Sequence, residues 1–413
     1  MADSDSYLKW AAATLATAPT GMRRTVLLVR TPALPSPGQR AAALLGTGFD
    51  PDDVETVALG ELADRVAALA PDVVLVATRG PQARVLLREL GALHPRPVLV
   101  SGMPGISIPA TRKALFFRAQ AELFVVHSHR EVREFAELSR AHGWDHRVTL
   151  AALPFARPGR VAAAEGTDLV FAVQSLVPAA LEQRREVARM LLAAAAADPG
   201  RRVVVKVRAR PGERQTHDER HPIPELVSEE AAGSTAPANL LVSDASMAAA
   251  LDGAEGLVTV SSTAAVEAIA RGVPVIALSS FGVADELINI VFVGSGLFGG
   301  ADDVIARRFR HPEPGWLTAN YFHPPGDDRL WSDVAELVAA RRRGESPARS
   351  ALPVAGGRMR LRWQRVRAFP GSGRGVADAA VLAVGVPAHA VLTGIRRAAA
   401  AIRRRRGDAQ VVP

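Results

Sequence analysis

The sequence contains no cysteine among its 413 residues. Disulfides, thiolate nucleophiles and cysteine-ligated metals are thereby excluded. It has no uncharged apolar run reaching the roughly 18 residues that cross a bilayer as a helix; 376–395 is apolar but interrupted by Asp378, Pro387 and His389, and residues 1–22 show no basic start leading into an apolar core. Neither a signal peptide nor a spanning helix is expected, and the cytoplasm is the expected compartment. No Gly-Xaa-Gly-Xaa-Xaa-Gly follows the first apolar run, so a dinucleotide cofactor is not expected. Aromatic residues make up only 5% of the chain, and lysine is rare beside arginine.

What is present is a globular composition, 48% hydrophobic and 22% charged, in a chain long enough for two domains and a tail. The 50 Lys and Arg exceed the 42 Asp and Glu, giving a net charge of +8. Richness in alanine and arginine often reflects a GC-rich genome, so the excess is weak evidence for a nucleic-acid partner. A phosphate-bearing ligand or an anionic membrane face would use the same charge.

Short apolar runs over 25–30, 54–59, 72–77, 97–101, 122–128 and 148–153 read as buried strands, separated by helical stretches such as 81–90. Alternation at this spacing predicts a parallel, doubly wound sheet. A second series follows at 168–175, 202–208 and 239–243, whereas residues 1–22 read as a helix or a frayed lead-in. The aromatics Trp316, Tyr321, Phe322, His323 and Trp331 cluster in the sequence, as a sugar-stacking surface or a segment tying the last helix to the first domain.

The chain is organised around residues 256–282. Leu257, Val258, Thr259 and Val260 predict a buried strand, and Ser261, Ser262 and Thr263 follow as candidate helix caps. A helix over 264–270 closes at Arg271-Gly272, and Pro274 opens a second strand over 275–278. This is a β-α-β unit with a right-handed crossover. The start of such a helix offers unpaired N–H groups and a positive dipole end to an anion, and three hydroxyls add donors. Simple capping and anion binding both remain open for them.

The stretch resembles the nucleotide-sugar-binding half of GT-B glycosyltransferases, in which a Ser/Thr-rich turn, a helix with a Glu (here Glu267) and a Gly-Xaa-Pro-Val-Ile strand follow one another. The likeness spans roughly residues 24–300. It is nearest to capsule-type transferases that use CMP-activated keto-sugars or CDP-activated polyols, and to an actinobacterial glycosyltransferase group. It implies an α/β fold of two Rossmann-like domains facing a central cleft, with a basic C-terminal tail. The implied division is an acceptor-side domain over 1–155, a linker over 156–166 and a nucleotide-sugar-binding domain over 167–310. An aromatic segment and helix packing back on the first domain then cover 311–340, and the tail covers 341–413.

The implied activity is inverting transfer of a sugar, a nonulosonate in the CMP case, to a cell-wall or capsular glycan or a lipid-linked acceptor. The co-substrate is a CMP-sugar by preference, with UDP or CDP as alternatives, and neither a metal nor a further cofactor is expected. Donor binding falls to Gln174, Ser175, Lys206, Arg208, Ser261, Ser262, Thr263 and Glu267. Capsule-type transferases carry a Lys-Xaa-His-Pro sequence at the third of these; here Lys206 is kept but Arg208 replaces the histidine, and the nearest histidine is His217, close to Glu213. His127, at a strand end where an imidazole would serve as a base, joins Glu213 and His217 as a catalytic candidate. Pro104 and Gly105 in the 101–110 loop, Arg118 and Ser295 are the acceptor-side candidates. Plainer readings stand beside these: a hydrogen-bonded structural His127, an ordinary turn, a solvated strand end.

Arg341-Arg342-Arg343 and the arginine-rich stretches 358–367 and 403–406 read as a mobile basic region. Such a tail either stays solvated or docks peripherally on the inner face of an anionic membrane. Two rival functions are a sugar-nucleotide epimerase, with Glu213, Glu219 and Glu267 as its carboxylates, and a non-catalytic basic protein that binds polyanionic polymer or membrane.

Overall fold

A computed structural model describes residues 1–156, 166–207, 219–231, 237–346, 348–353, 357–372, 383 and 385. In chain order the first domain comprises α1 (Asp5–Leu15), β1 (Leu27–Val29), α2 (Pro37–Leu44), β2 (Glu55–Val57), α3 (Leu62–Leu69), β3 (Val73–Val76), α4 (Gly80–Gly91), β4 (Val98–Gly102), α5 (Arg112–Phe117), β5 (Leu123–Val126), α6 (His129–Ala141) and β6 (Val148–Leu150). The strands are β-branched runs whose residues are nearly all buried, as parallel strands covered on both faces require. Helix starts are set by local chemistry. Ser36 and Gln39 form a capping box on α2, and the Ser128 hydroxyl accepts from Glu131 N at 3.0 Å on α6.

Strands β3, β4, β5 and β6 pair in parallel in that order, while β1 pairs with β2. The gap between the two pieces is filled by the first residues of the chain. Ala2 bridges both Leu28 and Ala77 in parallel, with Ala2 N donating to Leu27 O and Ala77 N to Met1 O, each at 2.9 Å. The supposed lead-in therefore supplies a central strand, and α1 behind it buries Leu8, Trp10, Ala11 and Ala12 in the core.

The second domain comprises β7 (Asp168–Ala172), α7 (Leu181–Ala197), β8 (Val203–Lys206), α8 (Ile223–Glu230), β9 (Leu240–Ser243), α9 (Met247–Asp252), β10 (Ala254–Thr259), α10 (Ala264–Ala270), β11 (Val275–Leu278), β12 (Phe298–Gly299), α11 (Ala301–Ile305) and α12 (Pro314–Ala319). Its parallel sheet has the order β12-β11-β10-β7-β8-β9. The chain builds outward from β7 to β9, then returns to place β10 on the other side of β7. The carboxyl ends of β7 and β10 thus flank a topological switch point, where open α/β sheets bind ligands.

Two last helices return to the first domain. α13 (Leu330–Arg342) ends with Arg341 donating to Arg96 O, Pro97 O and Glu122 Oε1, each at 2.6 Å. α14 (Gly357–Ala368) packs on α4, burying Trp363, Val366 and Ala368, and Gln82 Nε2 donates to Ala368 O at 2.9 Å. This corrects the expectation of a mobile stretch over 358–367: its apolar residues recur at helical spacing and find a partner surface. Most of the linker and most of 376–395, with all of 403–406, lie outside the described residues. The architecture is two Rossmann-like domains facing a cleft, the GT-B arrangement. Among the described residues no helix is long and apolar enough to cross a membrane.

Candidate active site

A cavity of about 1010 Å³ lies between the two domains. Its second-domain wall is built at the switch point, by Gln174 and Ser175 after β7 and by Ser261, Ser262 and Thr263 after β10. Gln174 ties the two turns together. Its Oε1 accepts from Ser261 N at 2.8 Å and from the Thr259 hydroxyl at 3.1 Å, and its Nε2 donates to the Ser261 hydroxyl at 3.0 Å. With Ser262 Oγ accepting from Ala264 N at 3.2 Å, the turn is held by side chains before any ligand arrives.

The opposite wall approaches closely at one point. A Cβ built on Gly105 would lie 2.6 Å from the Thr263 hydroxyl oxygen, so the loop after β4 meets the turn after β10 only because residue 105 is glycine. Pro104 and Gly105 line the cavity here.

Charge on the lining is of one sign. Arg79, Arg84, Lys113, Arg360 and Arg367 line the cavity, and no Asp or Glu does so among the described residues. Arg79 is matched from behind by Asp3, which is wholly buried and accepts from Arg79 Nε at 2.9 Å. Burial raises the Asp3 carboxyl above its usual range, and the Arg79 charge opposes this. Tyr7, whose hydroxyl accepts from Arg118 at 2.9 Å, also lines the cavity, and burial raises its pKa.

A family model described as "Putative glycosyltransferase (DUF6716)" matches residues 1–337. The chain belongs to that family. Among solved structures, the UDP-GlcNAc 2-epimerase from Neisseria meningitidis bound to UDP-GlcNAc is similar at 11% identity and a TM-score of 0.51, covering 82% of this chain and 98% of that one. The S. aureus MnaA-UDP structure is similar at 10% identity and 0.51, over 84% and 98%. The glycotransferase of kitacinnamycin matches at 17% identity and 0.40, over 89% and 95%. At these identities the likeness is one of fold. No curated protein matches the sequence.

Within this glycosyltransferase family member the sequence candidates divide into four groups. Gln174, Ser175, Ser261, Ser262, Thr263, Pro104 and Gly105 meet at the cavity. Lys206 is buried at the end of β8 and donates to Val207 O. Arg208, Glu213 and His217 lie outside the described residues.

The remaining candidates are corrected. His127 does not face the gap: it is fully buried, with Nδ1 2.9 Å from Ala151 O and Nε2 2.8 Å from Met103 O, so backbone carbonyls close off both nitrogens and a neutral ring donates to one of them. Burial lowers its pKa, against the charge of Glu131. Arg118 is buried beneath the cavity, donating to Thr78 O and Tyr7. Ser295 is buried in a turn, its hydroxyl donating to Phe292 O at 2.6 Å and accepting from Leu297 N at 3.1 Å. Glu267 accepts from Lys9 and does not line the cavity. Trp316 and Tyr321 are buried, with Tyr321 donating to Glu131 at 2.7 Å rather than presenting a sugar platform. The helix behind Ser261–Thr263 has only 7 residues, and the cations that line the cavity stand on the opposite wall.

Sequence reasoning missed Asp3, Arg79, Arg84, Arg360 and Arg367. The spacing of Arg360, Trp363 and Arg367 at i, i+3 and i+7 was a legible signal for one helix face.

Proposed function

We propose that the protein transfers a sugar from a nucleotide-activated donor to a glycan or lipid-linked acceptor, with inversion and without a metal. The observation that carries this reading is the cavity at the second domain's switch point, lined by hydroxyls and an amide on one side and by cations on the other. In such a transfer the acceptor oxygen bonds to the anomeric carbon as the bond to the nucleotide phosphate breaks, and negative charge develops on the leaving phosphate. Ser175, Ser262 and Thr263 offer hydroxyl donors to that phosphate, and the cationic wall stabilises its charge in a partly enclosed site. Lys206, where β8 ends beside β7, is proposed to extend this role, and Arg208, outside the described residues, is proposed to supply a two-pronged phosphate contact. Glu213 and His217 are the proposed proton acceptors for the attacking hydroxyl. A CMP-sugar leads the candidate donors.

Of the carboxylates the epimerase reading would use, Glu267 is held by Lys9 and Glu219 by Arg184. Membership of a family described as a putative glycosyltransferase favours transferase chemistry over it.

A thermal-shift panel of CMP, CDP, UDP, GDP and ADP tests the proposal on the wild type and on Ser262→Ala and Arg208→Ala. One nucleotide should raise the melting temperature, since a ligand confined to the native state stabilises it by about 2.7 kcal/mol at a hundred times its Kd. Both substitutions should diminish that rise. A panel with no shift at all would overturn the transferase reading.

A further inference from the structure

The donor alone leaves much of the cavity's charge unmatched. The switch-point wall is uncharged, whereas the facing wall holds Arg84, Lys113, Arg360 and Arg367, none of them paired with a carboxylate among the described residues. Arg84 is the telling member. It is only 6% exposed; its Nη1 and Nη2 donate to Phe116 O at 3.3 Å and Leu352 O at 2.6 Å, and its Nε has no acceptor. Burial and then the neighbouring Arg88 lower its pKa, the pattern of a cation that no counter-ion offsets.

Arg360 and Arg367 add to it. They sit two turns apart on α14, about 10 Å along its axis at 1.5 Å per residue. Both guanidiniums flank the buried Trp363, at 4.4 Å and 5.0 Å from its ring centroid. The indole holds the two cations on one face without neutralising either. Several cations converging on a semi-enclosed space repel one another unless an anion sits among them.

We propose that this wall binds a second anion, a phosphate group on the acceptor, separate from the phosphates of the donor. The assignment of the anion to an acceptor rests on the transferase reading; the anion site itself rests on the arginines. A phosphate fits better than a lone carboxylate. It brings more charge and three or four oxygens to guanidiniums that prefer two parallel hydrogen bonds, and two guanidiniums gathered around one indole, with Arg84 and Lys113 on the same wall, match a diphosphate or successive phosphodiesters better than one point charge.

The test uses the full chain saturated with whichever panel nucleotide binds, titrated with inorganic pyrophosphate by calorimetry. The wild type should take up a further equivalent. Arg360→Gln/Arg367→Gln should weaken it by at least about tenfold, the loss of roughly 1.4 kcal/mol in charge-assisted contacts, and by a clearly larger factor than it weakens the nucleotide. Lys113→Gln, at an exposed position, gives a smaller loss and serves if the double variant fails to fold. A glycerol-phosphate dimer forms the second arm: tighter binding of the dimer indicates a phosphodiester polymer, and tighter binding of pyrophosphate a diphosphate-linked lipid. The proposal is overturned if pyrophosphate merely displaces the nucleotide, if the variants bind it as the wild type does, or if trigalacturonate binds and neither phosphate does. Arginine-dependent pyrophosphate binding in a protein that binds no nucleotide would remove the transferase reading while leaving the anion site in place.

Discussion

Lys9 Nζ on α1 donates to Glu267 Oε1 on α10 at 2.8 Å, joining two residues 258 positions apart across the cleft. The same ammonium lies 4.2 Å from the centroid of the Phe155 ring, in the segment that leaves the first domain. Glu267 follows the Ser261–Thr263 turn by one helical turn, so this pair fixes how that turn sits against the first domain. Glu267, expected from the sequence among the donor-binding residues, is engaged by this lysine instead.

The Lys9–Glu267 pair is partly exposed, and its coupling in a double-mutant cycle of Lys9→Met and Glu267→Gln should stay below about 1 kcal/mol and shrink with added salt. Its larger effect is on geometry. Both substitutions should raise the KM for donor by similar factors and add less than fully when combined. A rise confined to Glu267→Gln would mean that the carboxylate contacts the donor after all.

Gln174 holds the donor-side turn through three hydrogen bonds. Gln174→Leu leaves Ser261 N and the Thr259 hydroxyl without their partner, at a cost of about 1–3 kcal/mol. The urea midpoint should fall accordingly, and the nucleotide-induced thermal shift should be lost. Retention of the full nucleotide shift would show that the turn does not shape the donor site.

Gly105→Ala places a methyl 2.6 Å from the Thr263 hydroxyl oxygen, which must move. Activity should fall at least about tenfold, since a small misplacement of a positioning group is amplified in the rate. The double variant Gly105→Ala/Thr263→Ala removes the obstructing oxygen, and its stability should recover toward the wild type in thermal melts. If the single variant is as active as the wild type, the two walls need not meet there.

The histidine contribution to native stability should decline as pH falls below about 6.5, where the unfolded chain protonates its histidines. The burial of His127 lowers its pKa, so the folded state takes up that proton only at lower pH and the unfolded state gains. His146, lowered by burial as well, acts in the same direction. Urea unfolding at several pH values should show a shallower loss for His127→Gln than for the wild type. An unchanged slope would mean that the native imidazole is already protonated between its two carbonyls.

The sequence by itself determined the elements and the general location of the donor-side turn. Runs such as Val203-Val204-Val205 predict parallel strands from their own composition, and the Ser261–Thr263 turn is legible because capping chemistry is local to a few residues. Tertiary structure alone decided what each end touches. Nothing in Met1-Ala2 predicts a strand between β1 and β3, because its hydrogen-bond partners are Leu27 and Ala77, far along the chain. His127 stands at a strand end in the sequence, yet whether it meets solvent depends on Met103 and Ala151 closing over it. The arginines of α14 read as a solvated tail until α4 supplies a surface for Trp363, Val366 and Ala368. Periodicity and turn chemistry act within a few residues, whereas burial and charge pairing depend on contacts that exist only after the chain has closed on itself.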